Sequence, residues 1–217
     1  MIEINKYIDH TLLKADASED DIKKLCTEAK EHQFFSVCVN GGYVPLAKKE
    51  LKRSKVKICA VVGFPLGAMA TEVKVFEAKR AIKHGASEID MVMNIGQLKS
   101  KNFQLVEQEI AAVKKAIGKK ILKVIIETCY LSPEEILLAS ELSVKANADF
   151  VKTSTGFGTA GADFEGIKLM KQAVGDKAEI KASGGIKTLD IALNFIELGV
   201  SRIGTSSGVS IIKDLKK

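Results

Sequence analysis

Tryptophan is absent from this chain, aromatic residues make up only 6% of it, and no run of more than two consecutive basic residues occurs. Proteins that grip nucleic acid usually carry a dense basic patch or exposed rings for stacking. Here 33 Lys and Arg are interleaved with 27 Asp and Glu. The net charge of +6 therefore points to a small phosphorylated metabolite as partner rather than to nucleic acid. Also missing is any apolar run of the roughly 20 residues that a bilayer span needs. The opening MIEINKYIDHTLLK carries acids and no long apolar core, so a secretory signal is not expected. The four cysteines, Cys26, Cys38, Cys59 and Cys129, show neither C-x-x-C pairing nor metal-ligand spacing. They read as reduced thiols of a cytoplasmic protein. With no linker and no low-complexity segment, a single domain over residues 1–217 is expected.

What is present is a rhythm. An apolar run, a small-residue break and an amphipathic stretch recur eight times. The runs are Tyr7–Leu13, Phe34–Asn40, Val56–Phe64, Glu88–Ile95, Ile121–Thr128, Asp149–Thr153, Glu179–Ser183 and Ser201–Thr205. Several are nearly continuous in Val, Ile and Met, as in strands covered on both faces. Helix starts between them are marked by Ser18 with Asp21, Thr71, Ser132-Pro133 with Glu135, Asp163, Thr188, and Ser206 or Ser207. Eight strand–helix units with short connections favour a single (β/α)8 TIM barrel of the α/β class over an open doubly wound sheet.

In such a barrel the chemistry sits at the C-terminal ends of the strands. Polar residues there include Asp9, His10, Cys38, Asn40, Asp90, Asn94, Glu127, Lys152 and Lys181. Two lysines on consecutive strands stand out. Neighbouring strands lie about 4.8 Å apart, so inward-pointing ammonium groups could approach within roughly 6 Å. At an effective dielectric near 20 that repulsion is about 3 kcal/mol, close to two pKa units. Burial acts in the same direction. One lysine would then serve as a free amine that attacks carbonyl carbon, a task closed to arginine. Asp90, flanked by Ile89 and Met91, is the proton-transfer candidate and needs a cationic partner. His10 could also face the mouth, whereas His32 and His84 read as helix-end charges. Asp9, Cys38 and Thr153 are read as pocket walls.

Two glycine–serine breaks follow the last two strands: Ser183-Gly184-Gly185 and Gly204-Thr205-Ser206-Ser207-Gly208. Barrel enzymes often bind phosphate at those loops, on free amides at a helix start. Gly156-Phe157-Gly158-Thr159-Ala160-Gly161 matches a dinucleotide pattern, but it lies in the sixth unit rather than the first. It reads instead as backbone approaching a phosphorylated substrate.

These segments resemble the deoxyribose-phosphate aldolase family. The resemblance is carried, in order, by Ile8–Leu13 (IDHTLL), Val62–Ala78 (VGFPLGAMATEVKVFEA), Ser87–Gly96 (SEIDMVMNIG), Lys152–Gly156 (KTSTG), Lys181–Thr188 (KASGGIKT) and Gly204–Gly208 (GTSSG). It implies a (β/α)8 barrel and a class I aldolase without metal or organic cofactor. Such an enzyme reversibly cleaves 2-deoxy-D-ribose 5-phosphate to acetaldehyde and D-glyceraldehyde 3-phosphate. By motif, Lys152 forms the Schiff base, Lys181 tunes it and Asp90 relays protons. Gly184, Gly185, Ser206 and Ser207 hold phosphate, with Gly156 contributing. A homo-oligomer, dimer or tetramer, is expected. The chain departs from the family at Asn40-Gly41-Gly42, where many members have a proline, and at Thr159-Ala160-Gly161. It ends in IIKDLKK without the tyrosine tail that some members use, so water relayed by Asp90 is expected to carry the proton. From the residues alone, another Schiff-base barrel aldolase or a transaldolase-like enzyme stays open. A non-catalytic phosphate- or RNA-binding barrel is the third alternative.

Overall fold

The computed structural model describes residues 2–215; the ends of the expected 1–217 span, including the last two lysines, lie outside the described residues. Eight parallel strands close in sequence order: β1 Ile8–Leu12, β2 Ser36–Val39, β3 Lys57–Val62, β4 Glu88–Val92, β5 Ile121–Ile125, β6 Phe150–Lys152, β7 Glu179–Ser183 and β8 Arg202–Thr205, with β8 pairing back onto β1. Around them lie α1 Glu19–Glu31, α2 Val44–Glu50, α3 Thr71–His84, α4 Ile95–Lys99, α5 Phe103–Ile117, α6 Pro133–Lys145, α7 Phe164–Val174, α8 Leu189–Glu197 and α9 Gly208–Asp214. This is a (β/α)8 TIM barrel. No helix among the described residues is long and apolar enough to cross a membrane.

Helix starts follow local chemistry. Ser18 and Asp21 form a complete capping box, as do Ser132 and Glu135 beside Pro133. Asp163 caps α7 through the Gly166 amide at 2.7 Å. One start was not anticipated. The expected fourth run extends to Ile95, but β4 ends at Val92 because the Asn94 side chain accepts from the Gln97 amide and opens the five-residue α4. Asn94 is thus a helix cap.

Alternation along each strand divides the interior in two. Outward-facing Val37, Val39, Leu122 and Val124 join Ile22, Leu25, Ile110 and Val113 of the helices in one continuous apolar core. The inward-facing positions are different: Asp9, Cys38, Cys59, Asp90, Lys123 and Lys181 are completely buried inside the barrel. The hydrophobic core therefore lies between sheet and helices, while the barrel's own interior is largely ionic.

A second buried ion pair ties helices behind β4. Lys74 of α3 is fully buried and donates to Glu109 of α5 at 2.7 Å and to the Val92 carbonyl at 2.8 Å. Burial lowers the Lys74 pKa, and burial raises that of Glu109; each opposes the other's shift. Removing one member of a buried pair strands the other. Lys74→Met is expected to lower unfolding free energy by about 3–5 kcal/mol, and Lys74→Met with Glu109→Gln to lower it by less. Guanidinium unfolding of both variants checks this, and equal losses would contradict the pairing.

Candidate active site

Register brings the two lysines together. Lys152 and Lys181 are paired across β6 and β7, and both ammonium groups donate to the same oxygen, Asp90 Oδ2, at 2.8 Å. They therefore lie within about twice that distance of one another, the spacing that the sequence suggested.

Around this pair the charges close into a ring. Asp9 takes Lys181 at 2.5 Å and Arg202 at 2.8 Å; Arg202 reaches on to Glu88 at 3.2 Å. Glu88 contacts Lys123, and Lys123 returns to Asp90 at 2.9 Å. Asp90 closes the circuit at Lys181. Three carboxylates thus alternate with three cations, and each member bridges two of opposite sign. Ser36 adds a 2.6 Å hydrogen bond to Asp9, and the Cys59 thiol a 2.9 Å one to Asp90. Lys152 hangs outside this neutral ring, on Asp90 alone.

The electrostatics follow from the ring. Burial by itself would raise the Asp9 and Asp90 carboxyls, but the surrounding cations override it. Lys181 with Arg202 at Asp9, and Lys123 with Lys152 and Lys181 at Asp90, hold both below the usual carboxylate range. Burial alone would lower Lys181, but Asp9 and Asp90 raise it and keep it protonated. Lys181 is therefore a fixed positive charge beside Lys152.

Above the ring lies a cavity of about 270 Å³. Lys152 is at its floor, with Thr155, Gly156 and Phe157 from the loop after β6, Ser183 to Lys187 after β7, and Gly204 to Ser207 after β8. Gly156, Gly184, Gly185, Ser206 and Ser207 all line it, as expected, and the rim adds two lysines not singled out before, Lys14 and Lys187. The Ser207 amide is taken by Thr205 Oγ1 at 2.9 Å, so the Ser207 hydroxyl is the group it offers the cavity. Glycine is needed at 204: a Cβ there would stand 3.0 Å from Lys181 Cε and 2.9 Å from Ser183 Cβ.

Several expected residues sit elsewhere. Asp9 and Cys38 do not line the cavity; both are fully buried one layer beneath it, Asp9 in the ring and Cys38 beside Cys59. Thr153 is also buried, and its hydroxyl links β6 to Ser183 of β7 at 3.1 Å in both directions. His10 points outward to α1, where Nε2 meets Glu28 at 2.8 Å, and burial lowers its pKa. Alternation along β1 makes this unavoidable: with Asp9 inward, His10 faces the helices. The residues missed were Glu88, Lys123 and Arg202; Glu127 was placed at a strand end but given no role. Lys123 breaks the run Ile121–Ile125 as Lys152 breaks its own, which was the available signal. Glu127, in the left-handed region at φ 55°, accepts hydrogen bonds from the Thr155 amide at 3.2 Å and from its hydroxyl. It anchors the loop that forms one cavity wall.

The whole described chain finds relatives. A family model described as DeoC/LacD family aldolase matches residues 4–214. A deoxyribose-phosphate aldolase of Finegoldia magna is 60% identical over 212 residues, covering 98% of this chain and 100% of that one. One from Streptococcus uberis is 57% identical over 211 residues, covering 97% and 96%. The solved tetrameric deoxyribose phosphate aldolase from Aeropyrum pernix superposes with a TM-score of 0.90 at 32% identity, covering 99% of this chain and 91% of that one.

The ring makes stability pH-dependent. Asp9 is held below its ordinary value of 3.8, so its contribution is complete above that pH and is lost as pH falls toward the folded-state value. Asp9→Asn is expected to cost about 3–5 kcal/mol at pH 7 by leaving Lys181 and Arg202 short of a partner. Its stability should also fall less steeply than the parent's below pH 4. Unfolding midpoints from pH 7 down to 2 measure both, and parallel acid limbs would remove Asp9 from this role.

Proposed function

The chain belongs to the DeoC/LacD aldolase family, and on that footing we propose that it reversibly cleaves 2-deoxy-D-ribose 5-phosphate to acetaldehyde and D-glyceraldehyde 3-phosphate through an imine on Lys152. The observation that carries this reading is the position of Lys152. Of the cations around Asp90, it is the one outside the closed ring, and it faces the cavity. Its proton can leave without stranding a buried carboxylate, because the ring is neutral without it.

The chemistry then runs as follows. The Lys152 amine adds to the aldehyde carbon C1 of the open-chain sugar, and loss of water gives the protonated imine. The C3 hydroxyl loses its proton, the C2–C3 bond breaks, and its electron pair moves toward the iminium nitrogen. Glyceraldehyde 3-phosphate departs and an enamine remains. Protonation at C2 and hydrolysis release acetaldehyde and restore the amine. Asp90 Oδ2 touches Lys152, so it can hand protons between that amine and water, while Lys181 on the same oxygen keeps its own proton. Asp90 stays anionic and conducts the proton rather than storing it. The phosphate is assigned to the loops after β7 and β8, with Gly184, Gly185, Ser206 and Ser207 as donors, Gly156 opposite, and Lys14 and Lys187 supplying charge at the rim.

The Aeropyrum pernix relative is described as tetrameric. A homo-oligomer, dimer or tetramer, is proposed for this chain too, supported by exposed Val73 and Phe76 on α3 and Leu105 on the adjoining α5. A cytoplasmic setting is supported by four free cysteines.

Two experiments test the mechanism. Incubation with acetaldehyde, borohydride reduction and peptide mass mapping should place the adduct on Lys152; an adduct on Lys181 would reverse the assignment. In Lys181→Leu, with the fold checked by circular dichroism, removing the fixed positive charge should move the ascending limb of the pH–rate profile to higher pH by about one to two units. An unmoved limb would show that Lys181 does not tune the amine.

A further inference from the structure

Beneath the cavity, Cys38 and Cys59 are register partners on the neighbouring strands β2 and β3. Both are completely buried, and the aldol chemistry above uses neither. Their sulfurs and an Asp90 carboxylate oxygen all lie within 4.8 Å of one another. Three ligating side chains thus converge from β2, β3 and β4. We propose that this cluster binds a thiophilic divalent cation of the zinc class, as an inhibitor that draws Asp90 away from Lys152.

The spacing suits a bridging metal. Adjacent strands lie about 4.8 Å apart, and the three ligand atoms fall within 4.8 Å of one another. Two zinc–sulfur bonds of about 2.3 Å at a tetrahedral angle span thiolates nearly 4 Å apart, and a carboxylate oxygen supplies a third ligand.

Charge permits the exchange. The ion enters as the two S–H protons leave to solvent; two metal–sulfur bonds and one metal–oxygen bond form. One divalent cation replaces two protons, so the buried cluster keeps its net charge and takes on no new desolvation penalty of the kind that excludes isolated ions. Lys123, 3.5 Å from the Cys59 sulfur, stabilises a thiolate there while repelling the ion, which favours a tight soft ligand set over a hard one. Cys59 already donates to Asp90 Oδ1 at 2.9 Å, so the ion takes the place of that proton. The carboxylate pulled onto the metal then holds Lys152 and Lys181 less firmly through Oδ2.

The inhibitory half rests on the proposed roles of Lys152 and Asp90; the binding half does not, and the two are measured separately. Zinc chloride is titrated into the full-length protein. Zinc-edge X-ray absorption should show two sulfur neighbours at about 2.3 Å. Aldolase turnover should fall on the order of 10-fold or more and return on adding a chelator. Cys59→Ala should lose the sulfur shell and the inhibition together, while Cys26→Ser, outside the cluster, should keep both. Fewer than two sulfur neighbours in the parent protein would overturn the site whether or not the variant folds. Two-sulfur binding with undiminished turnover would overturn the inhibition, and so would inhibition that persists in Cys59→Ala. A chain without aldolase activity would sink the functional reading and leave the sulfur count to judge the site.

Discussion

Three carboxylates and three cations, closed head to tail inside the barrel, set the terms for everything above them. The ring joins β1, β4, β5, β7 and β8 through Asp9, Glu88, Asp90, Lys123, Lys181 and Arg202. Isolated, any of these charges would be intolerable at this depth; together each has two partners of opposite sign. The arrangement fixes the protonation of its members. Lys181 is held charged and Asp9 and Asp90 ionised by their neighbours rather than by solvent. Lys152 adds a seventh charge to a complete circuit and rests on Asp90 alone.

The layer above supplies shape rather than charge balance. Gly204 leaves space for the Lys181 side chain, and Thr153 ties β6 to β7 beside the cavity. Glu127 suspends the next loop from a backbone conformation that residues other than glycine adopt at a cost. Phe157, carried by that loop, meets Phe64 edge to face at 5.4 Å. A rigid ionic floor and a loop wall hung on hydrogen bonds divide the work: one fixes the charges around Lys152, the other shapes the space it faces.

Much of this was legible in the residues. Eight apolar runs with capped helices between them specify the barrel, because cap chemistry and strand runs are local properties. Lys152, Lys181 and Asp90 stood out because each interrupts an apolar run. Depth along the barrel axis was not. Asp9 and Cys38 were read as cavity walls and lie one layer lower. Lys123 and Arg202 were passed over although they stand in register with Asp90 and Lys181. Register between strands decides depth, and runs that are apolar on both faces carry little of the alternation that would specify it. Asn94 shows the opposite failure: a local capping signal hidden inside what looked like the continuation of a strand.

The ring also spans the length of the chain. Arg202 meets Asp9 across 193 residues of sequence and Lys181 meets it across 172. Contacts of that separation form late, after most of the loop-closure entropy has been spent. An N-terminal fragment emerging during synthesis can hold Asp9, Glu88, Asp90 and even Lys152 before the cations of β7 and β8 exist. The ring of charges beneath Lys152 is therefore complete only when the last strand seats against the first. Barrel closure and the completion of the cavity floor are one event.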